Sequence, residues 1–397
     1  MNSVFASSQY WGYNISRNVA DYVLPENETT LLEPRNICRG KIFLLIIVCS
    51  GVDHFAARLA ILSKIIRMII TMNNWLLLHC RQNIRDTWGN TTEFNYHMFS
   101  QMHEHFHGKY LDPSPERLQY YRGYIMGNFG HSNNSHQSNV SVRFKNIQKY
   151  ARTLSRLHSE SEQYDDIVQK NFIDSYKNLT VKSVMALKWV TRRCQHASAF
   201  IMKCDDDTFV NVPNLLQHLL GGTIPLYNDT LDMHDQRSYQ VLAEYNRLNV
   251  TQNLLMGHLF CSVRPVADIT SKWYMPYYMF PADTYPTYFS GASYLMSSDV
   301  VPKLYAAALN TSLIYLEDVY ITGICAERIK LRRRHNPLFS FKRSKSPCTM
   351  KGSITQHYMK NDAMLDLYAF VSNVSIKCAP PGKYFRTVRL RKSNNCT

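Results

Sequence analysis

The stretch AFIMKCDDDTFVN, residues 199–211, decides how the rest of the chain is read. Ala199 to Met202 form a short apolar run of the kind that makes a buried strand, and it leads directly into Lys203, Cys204, Asp205, Asp206 and Asp207. Three adjacent carboxylates repel one another and raise one another's pKa unless a cation sits among them. Carboxylate oxygens suit hard divalent ions, which keep positions open for phosphate oxygens. The stretch therefore points to a strand that feeds a metal- and phosphate-binding loop. An acidic triplet on an ordinary surface is the bland alternative, and the strand before it and Phe209-Val210-Asn211 after it weigh against that.

Upstream, KIFLLIIVCS (41–50) reads as a second buried parallel strand, ended by Ser50-Gly51. Two such strands imply an α/β sheet with ligands at its C-terminal edge. Residues 107–145 read as loop, 159–190 as helix, 214–220 as helix, 294–296 as strand and 300–309 as helix. No internal repeat is visible.

Four further segments carry candidate chemistry. In LEDVYITGIC (316–325), Glu317 and Asp318 sit among apolar residues. A partly buried carboxylate there suits a general base, and an acid pair at a helix N-terminus is the alternative. In RQNIRDTWG (81–89), one helical turn would align Arg81 with Arg85 for gripping phosphate or a uracil edge; the alternative is a pair of surface arginines. In YPTYFSGASYLMSSD (285–299), Tyr285, Tyr288 and Tyr294 around Gly291 read either as a sugar platform or as an aromatic core strand, and Trp273 lies in a nearby aromatic cluster. His357 gains meaning only with a metal nearby.

Composition bounds the setting. The 397 residues are 45% hydrophobic and 12% aromatic, which supports a large core and excludes a disordered or fibrous chain. Eleven Asn-x-Ser/Thr sequons occur where chance gives about four, which favours passage through the secretory pathway. Ten cysteines agree with an oxidising lumen. The net charge is +15, and seven basic residues with no acidic one lie in Lys330–Lys345. Five more fall in Lys383–Lys392. These stretches read as solvated loop and tail or as a patch for anionic ligands. No zinc-finger or RNA-binding signature accompanies them, and nucleic acid is not an expected partner. The longest apolar run, Ile42–Cys49, is far short of the roughly 20 residues of a membrane helix.

Taken together, these blocks resemble the β1,3-glycosyltransferase family, which includes β1,3-galactosyltransferases, β1,3-N-acetylglucosaminyltransferases and the fringe enzymes. The matching positions are Arg81–Gly89; Phe172, Asp174, Tyr176, Asn178, Leu179, Thr180 and Lys182; Lys203–Asn211; Lys272–Tyr274 with Tyr285–Gly291; Glu317–Tyr320 with Gly323 and Cys325; and Ile354, Thr355 and His357.

The resemblance implies an α/β GT-A type domain, a twisted and mostly parallel sheet flanked by helices, over residues 41–378. It implies a UDP-sugar donor, Mn²⁺ with Mg²⁺ as the substitute, a glycan acceptor, and a type II Golgi membrane protein with a lumenal catalytic domain. It makes Asp318 the base, places Arg81, Arg85, Asp205 and Asp206 at the donor, and makes Asp207 and His357 the metal ligands. Trp273, Tyr285, Gly291 and Glu317 fall to the acceptor or sugar platform. Galactose is the first expectation for the donor. N-acetylglucosamine, N-acetylgalactosamine and a non-catalytic relative are the alternatives.

Against that pattern, residues 59–80 interrupt the approach to Arg81, as an insertion or a retained intron would. Residues 1–40 read as a stem without a visible anchor, so the true N-terminus is expected upstream of Met1, and residues 379–397 read as a basic tail. Cys204, Ser293 and Tyr368 replace the usual Thr, Gly and Trp, and Thr322 adds one residue between Glu317 and Gly323.

Overall fold

The computed structural model describes residues 11–39, 42–54, 88, 120–129, 140–194, 197–222, 224–233, 252–344, 346–359 and 361–380. Its centre is an eight-stranded mixed sheet. The strands are β1 (Thr30–Leu32), β2 (Ile42–Cys49), β3 (Tyr120–Phe129), β4 (Ile167–Asp174), β5 (Ser198–Asp205), β7 (Leu255–Phe260), β8 (Tyr288–Ser297) and β9 (Arg333–His335), in the order β1-β4-β3-β2-β5-β8-β7-β9. Two very short strands, β6 (Phe209–Val210) and β10 (Thr355–Gln356), pair antiparallel beside it.

Strands β4, β3, β2 and β5 run parallel. They hold the third, second, first and fourth places in chain order, so the winding direction reverses between β2 and β5. At such a reversal the loops leaving the strand ends diverge, and a crevice opens at the carboxyl edge. Here Cys49 is in register with Asp205, which puts Ser50 and the three aspartates on the two lips of that crevice.

All eight residues of β2 are buried, as a central strand covered on both faces requires. Its side chains divide by alternation. Leu45, Ile47 and Cys49 join one core with Val184 and Trp189 of helix α2 (Leu179–Arg193) and with Val301 and Leu304 of helix α4 (Val300–Leu309). Leu44, Ile46 and Val48 join the other with Leu157 of helix α1 (Val140–Tyr164), Leu215 of helix α3 (Val212–Leu219) and Leu367 of helix α5 (Asn361–Ser372). The result is a sheet between two helical layers.

Several sequence expectations are corrected. Residues 107–145 were expected to be loop, but they contain β3, which lies between β2 and β4, and the start of α1. The helix expected over 159–190 is two helices separated by β4. Its pattern IVQKNFID carries Gln169 and Lys170, both buried, and these masked the strand signal. The parallel character holds for four of the seven strand pairings and gives way to antiparallel pairing around β8. Residues 11–39, expected as stem, pack onto the domain. Trp11, Val19 and Val23 are buried, β1 pairs with β4, and a disulfide joins Cys38 to Cys194. Lys188 locks this segment by donating to the carbonyls of Val23, Leu24 and Asn27.

A second disulfide joins Cys348 to Cys378, and Cys261 is also disulfide-bonded. Among the described residues no helix is long and apolar enough to cross a membrane. The interruption at 59–80 and most of the tail at 379–397 lie outside the described residues.

Candidate active site

The crevice at the β2/β5 reversal opens into a cleft of about 1290 Å³. That exceeds the usual space of a single small-molecule site, roughly 300–1,000 Å³.

One lip is built by β5. Alternation puts Lys203 and Asp205 on the same side of the strand. The Lys203 ammonium donates to Asp205 Oδ1 at 2.7 Å and to the Gly291 carbonyl at 2.6 Å, and lies 3.4 Å from Glu317 Oε2. Burial alone would strip Lys203 of its proton, but Asp205 and Glu317 hold its pKa well above the ordinary lysine value. The Asp205 carboxyl is itself pushed up, because burial and the neighbouring Asp207 outweigh the Lys203 charge. Asp206 behaves oppositely. Burial pushes it up, but hydrogen bonds from His54 Nδ1 (2.8 Å) and the Ser50 hydroxyl (2.7 Å) overcome this and hold it below the ordinary value.

Asp207 meets His357 through the small β6/β10 pair. Val210 is in register with Thr355 and Phe209 with Gln356, so the chain after β10 runs back past the aspartate loop. Met359 N–H donates to the Asp207 carbonyl at 2.9 Å, and His357 Nε2 lies 3.0 Å from Asp207 Oδ1. Tyr358 stacks on the His357 ring with centroids 4.0 Å apart. Its φ of 60° is an uncommon conformation for a bulky residue and turns the chain sharply after the histidine. One ligand atom each from Asp205, Asp207 and His357 lie within 4.8 Å of one another. Two carboxylates and one imidazole form a donor set that fits a divalent ion.

The other lip carries Asp318. It caps a seven-residue π-helical stretch, Val319–Cys325, and its carboxylate accepts the Val319 N–H at 2.9 Å. A π turn holds more residues than an α turn, which accommodates the extra Thr322. The Thr322 hydroxyl donates to the Asp318 carbonyl at 2.7 Å and accepts the Phe289 N–H at 2.8 Å, tying the turn to β8. Burial, with the Glu317 charge beside it, pushes the Asp318 carboxyl up to about 7. A Cβ on Gly291 would lie 3.3 Å from the Asp318 Cβ, a tight contact that would push the Asp318 side chain by a few tenths of an ångström.

The acceptor-side expectations divide. Trp273, half-exposed, lines the cleft with Tyr285 and Gly291. Glu317 lines it too, but its carboxylate is engaged from below, by the Tyr294 hydroxyl at 2.6 Å and by Lys203. Tyr294 is fully buried under the site and is not part of a sugar platform. Arg81 and Arg85 lie outside the described residues; the Trp88 of the same block is buried in the core.

Sequence reasoning missed Ser50 and His54, and it singled out Lys182 as a motif position without a role. The Lys182 ammonium donates to Asp174 at 2.8 Å and to the Ser50 carbonyl at 2.9 Å, bracing the β2 exit loop. A lysine in the apolar stretch LTVKSVMAL was the available signal, since a buried ammonium needs a partner.

A ligand crevice at the switch point of a twisted sheet between helices is the layout of the nucleotide-binding α/β folds. Within that class, the galactosyltransferase family profile matches residues 145–244 and 236–337. Mouse β1,3-galactosyltransferase 1 is 33% identical over 209 residues, 52% of this chain and 56% of its own length. Mouse lactosylceramide 1,3-N-acetyl-β-D-glucosaminyltransferase is 33% identical over 226 residues, 56% of this chain and 53% of its own length. Mouse β1,3-galactosyltransferase 2 is 28% identical over 292 residues, 72% of this chain and 54% of its own length. The matched stretch thus spans about half the length of these relatives. Residues 145–337 thus match the galactosyltransferase family, and over about half of its length the chain is similar to β1,3-galactosyltransferases and to a 1,3-N-acetylglucosaminyltransferase.

Proposed function

We propose that this protein is a hexosyltransferase that moves a sugar from a UDP-sugar onto a glycan acceptor in β1,3 linkage with inversion. The observation that carries this reading is one cleft with a metal-fitting cluster, Asp205, Asp207 and His357, on one lip and a carboxylate raised to about 7, Asp318, on the other. A carboxyl near neutrality can hold and release a proton at working pH.

Inversion needs one in-line displacement. Asp318 accepts the proton of the attacking acceptor hydroxyl as the new oxygen–carbon bond forms and the bond from the sugar to the diphosphate breaks. A divalent ion held by Asp207, His357 and Asp205, Mn²⁺ by the family resemblance with Mg²⁺ as the substitute, would neutralise charge on the departing diphosphate. Asp206, kept ionised by His54 and Ser50, is suited to accept hydrogen bonds from the donor's ribose or sugar hydroxyls. Arg81 and Arg85 remain assigned to the UDP pocket by resemblance. Galactose is favoured as the sugar by the family profile and by the names of two of the three relatives; the third favours N-acetylglucosamine. The sequons and disulfides support a lumenal setting, and the resemblance makes it the Golgi.

The test is transfer from UDP-galactose, UDP-N-acetylglucosamine and UDP-N-acetylgalactosamine with Mn²⁺, using the native chain and Asp318→Asn. Turnover with one donor, lost in Asp318→Asn while UDP still binds, is expected. Loss of UDP binding in a folded Asp318→Asn protein overturns the assignment of the base. Silence with all donors, with UDP bound, favours a non-catalytic relative.

A further inference from the structure

The cleft is segregated by charge. Its carboxylates, from Asp53 and Asp174 to the aspartate triplet, Glu317 and Asp318, all lie on segments at the β2, β4 and β5 ends and on the turn before the π helix. The remaining wall, built by β7, the 261–285 loop, the start of β8 and Phe341, carries no carboxylate among the described lining residues. It carries cations, Arg264 and Lys272.

That wall is also a continuous aromatic surface with a direction. It starts beside Asp318, where β8 passes so close that a Cβ on Gly291 would lie 3.3 Å from the Asp318 Cβ. Tyr288, three residues earlier on β8, packs against Gly323 of the π helix and leads to Phe260, with ring centroids 5.5 Å apart. Phe260 leads to Phe341 at 4.9 Å. Over the Phe341 ring, 5.3 Å from its centroid, sits the ammonium of Lys342. Lys342 and Arg264 are exposed, and among the described residues neither has an ion-pair partner. Two other members of the basic run are placed differently. Arg333 donates to the Gly323 carbonyl at 3.0 Å and lies 3.9 Å from Glu327. Lys330 ends a helical turn and does not line the cleft.

Building on the transferase reading, we infer that the Tyr288–Phe260–Phe341 wall is the acceptor subsite, and that Arg264 in the cleft lining and Lys342 over the Phe341 ring select an acceptor glycan bearing a carboxylate or sulfate group beyond the reacting sugar. Pyranose rings pack their apolar faces on aromatic rings, so the wall holds the acceptor chain as it leaves Asp318. Guanidinium and ammonium groups recognise oxyanions, and free cations on an acid-free wall attract such a group and disfavour a cationic one.

The test uses the full chain with Mn²⁺ and its UDP-sugar, and three acceptors that share the reacting sugar. One is a neutral disaccharide, one carries a sulfate ester on the second ring, and one has a uronic acid as the second ring. The expected result is a kcat/KM for one or both acidic acceptors on the order of five- to ten-fold above the neutral one, shrinking as salt is raised. Lys342→Gln and Arg264→Gln should bring that ratio to about one, while Lys330→Gln, in the same basic run but at the end of a helical turn rather than over the Phe341 ring, should keep it. The acidic arms tell sulfate from carboxylate. A ratio of one or below in the native chain, or a ratio untouched by both substitutions, overturns the inference and leaves the transferase reading standing. Binding of the acidic disaccharides, followed by NMR line broadening with UDP and Mn²⁺ present, separates the two readings further. Binding lost in Lys342→Gln without any transfer keeps the subsite and overturns the catalytic reading; absence of both binding and transfer overturns both.

Discussion

The Lys203 ammonium lies 3.4 Å from the Glu317 carboxylate, joining strand β5 to the turn that presents Asp318. It also neutralises Asp205, so one cation fixes the spacing between the aspartate loop and the opposite lip. Replacing Lys203 by Met leaves Glu317 buried without its countercharge. A destabilisation of about 3–5 kcal/mol is expected, read as a lower midpoint in urea. A loss under 1 kcal/mol would show that the two lips hold their spacing without the lysine.

Asp318 should trade stability for function. Its carboxyl is raised from 3.8 to about 7, so between those values the folded state holds a proton that the unfolded state has lost. Stability therefore falls as pH rises through that window, and at pH 8 the ionised group costs the fold. In EDTA, Asp318→Asn is expected to melt higher than the native chain at pH 8, by about 2 kcal/mol after allowance for solvent screening, and to lose that advantage below pH 4. Native kcat/KM should rise with pH toward about 7, since only the ionised carboxylate accepts a proton. A metal-free Asp318→Asn protein no more stable at pH 8 than the native one would contradict the buried-carboxylate account.

Gly291→Ala places a methyl group 3.3 Å from the Asp318 Cβ and 3.4 Å from its Oδ2. The carboxylate must shift by a few tenths of an ångström or more. Displaced catalytic groups lose rate steeply, so a fall in kcat of about ten- to a hundred-fold is expected with about 1 kcal/mol or less lost in stability. Native kcat in this variant would mean that the position of Asp318 is not critical.

Removing Asp207 or His357 should uncouple UDP from metal. In calorimetry, Mn²⁺ is expected to strengthen UDP binding to the native chain by at least about ten-fold, and to do little for Asp207→Ala or His357→Ala. Affinity without metal should be the same in all three. Metal-dependent affinity that survives both substitutions would assign the ion to other residues.

Much of the site was legible because charge in an apolar context is costly and therefore informative. Lys203 to Asp207 after a buried run, and Glu317-Asp318 inside LEDVYITGIC, were both recognisable before any coordinates. The strand β4 was not, because buried Gln169 and Lys170 break its apolar pattern while tertiary partners such as Glu28 and Thr30 satisfy the lysine. His54 and Ser50 were missed for a related reason. A lone histidine after a strand carries no signal until its neighbour Asp206 arrives from elsewhere in the chain.

The residue order by itself determined the local chemistry of this protein: which strand ends carry carboxylates, and which family the blocks resemble. Periodicity and motif spacing are local properties, and they survive without knowledge of the fold. Only the tertiary structure decided that Asp206 meets His54, that Tyr294 supports the site from below while Tyr288 faces the cleft, and that residues 11–39 belong to the domain. Each of these depends on which strands pair and in what register. A shift of one residue turns every side chain to the other face, and that choice is made by the packing of the whole sheet rather than by any one segment.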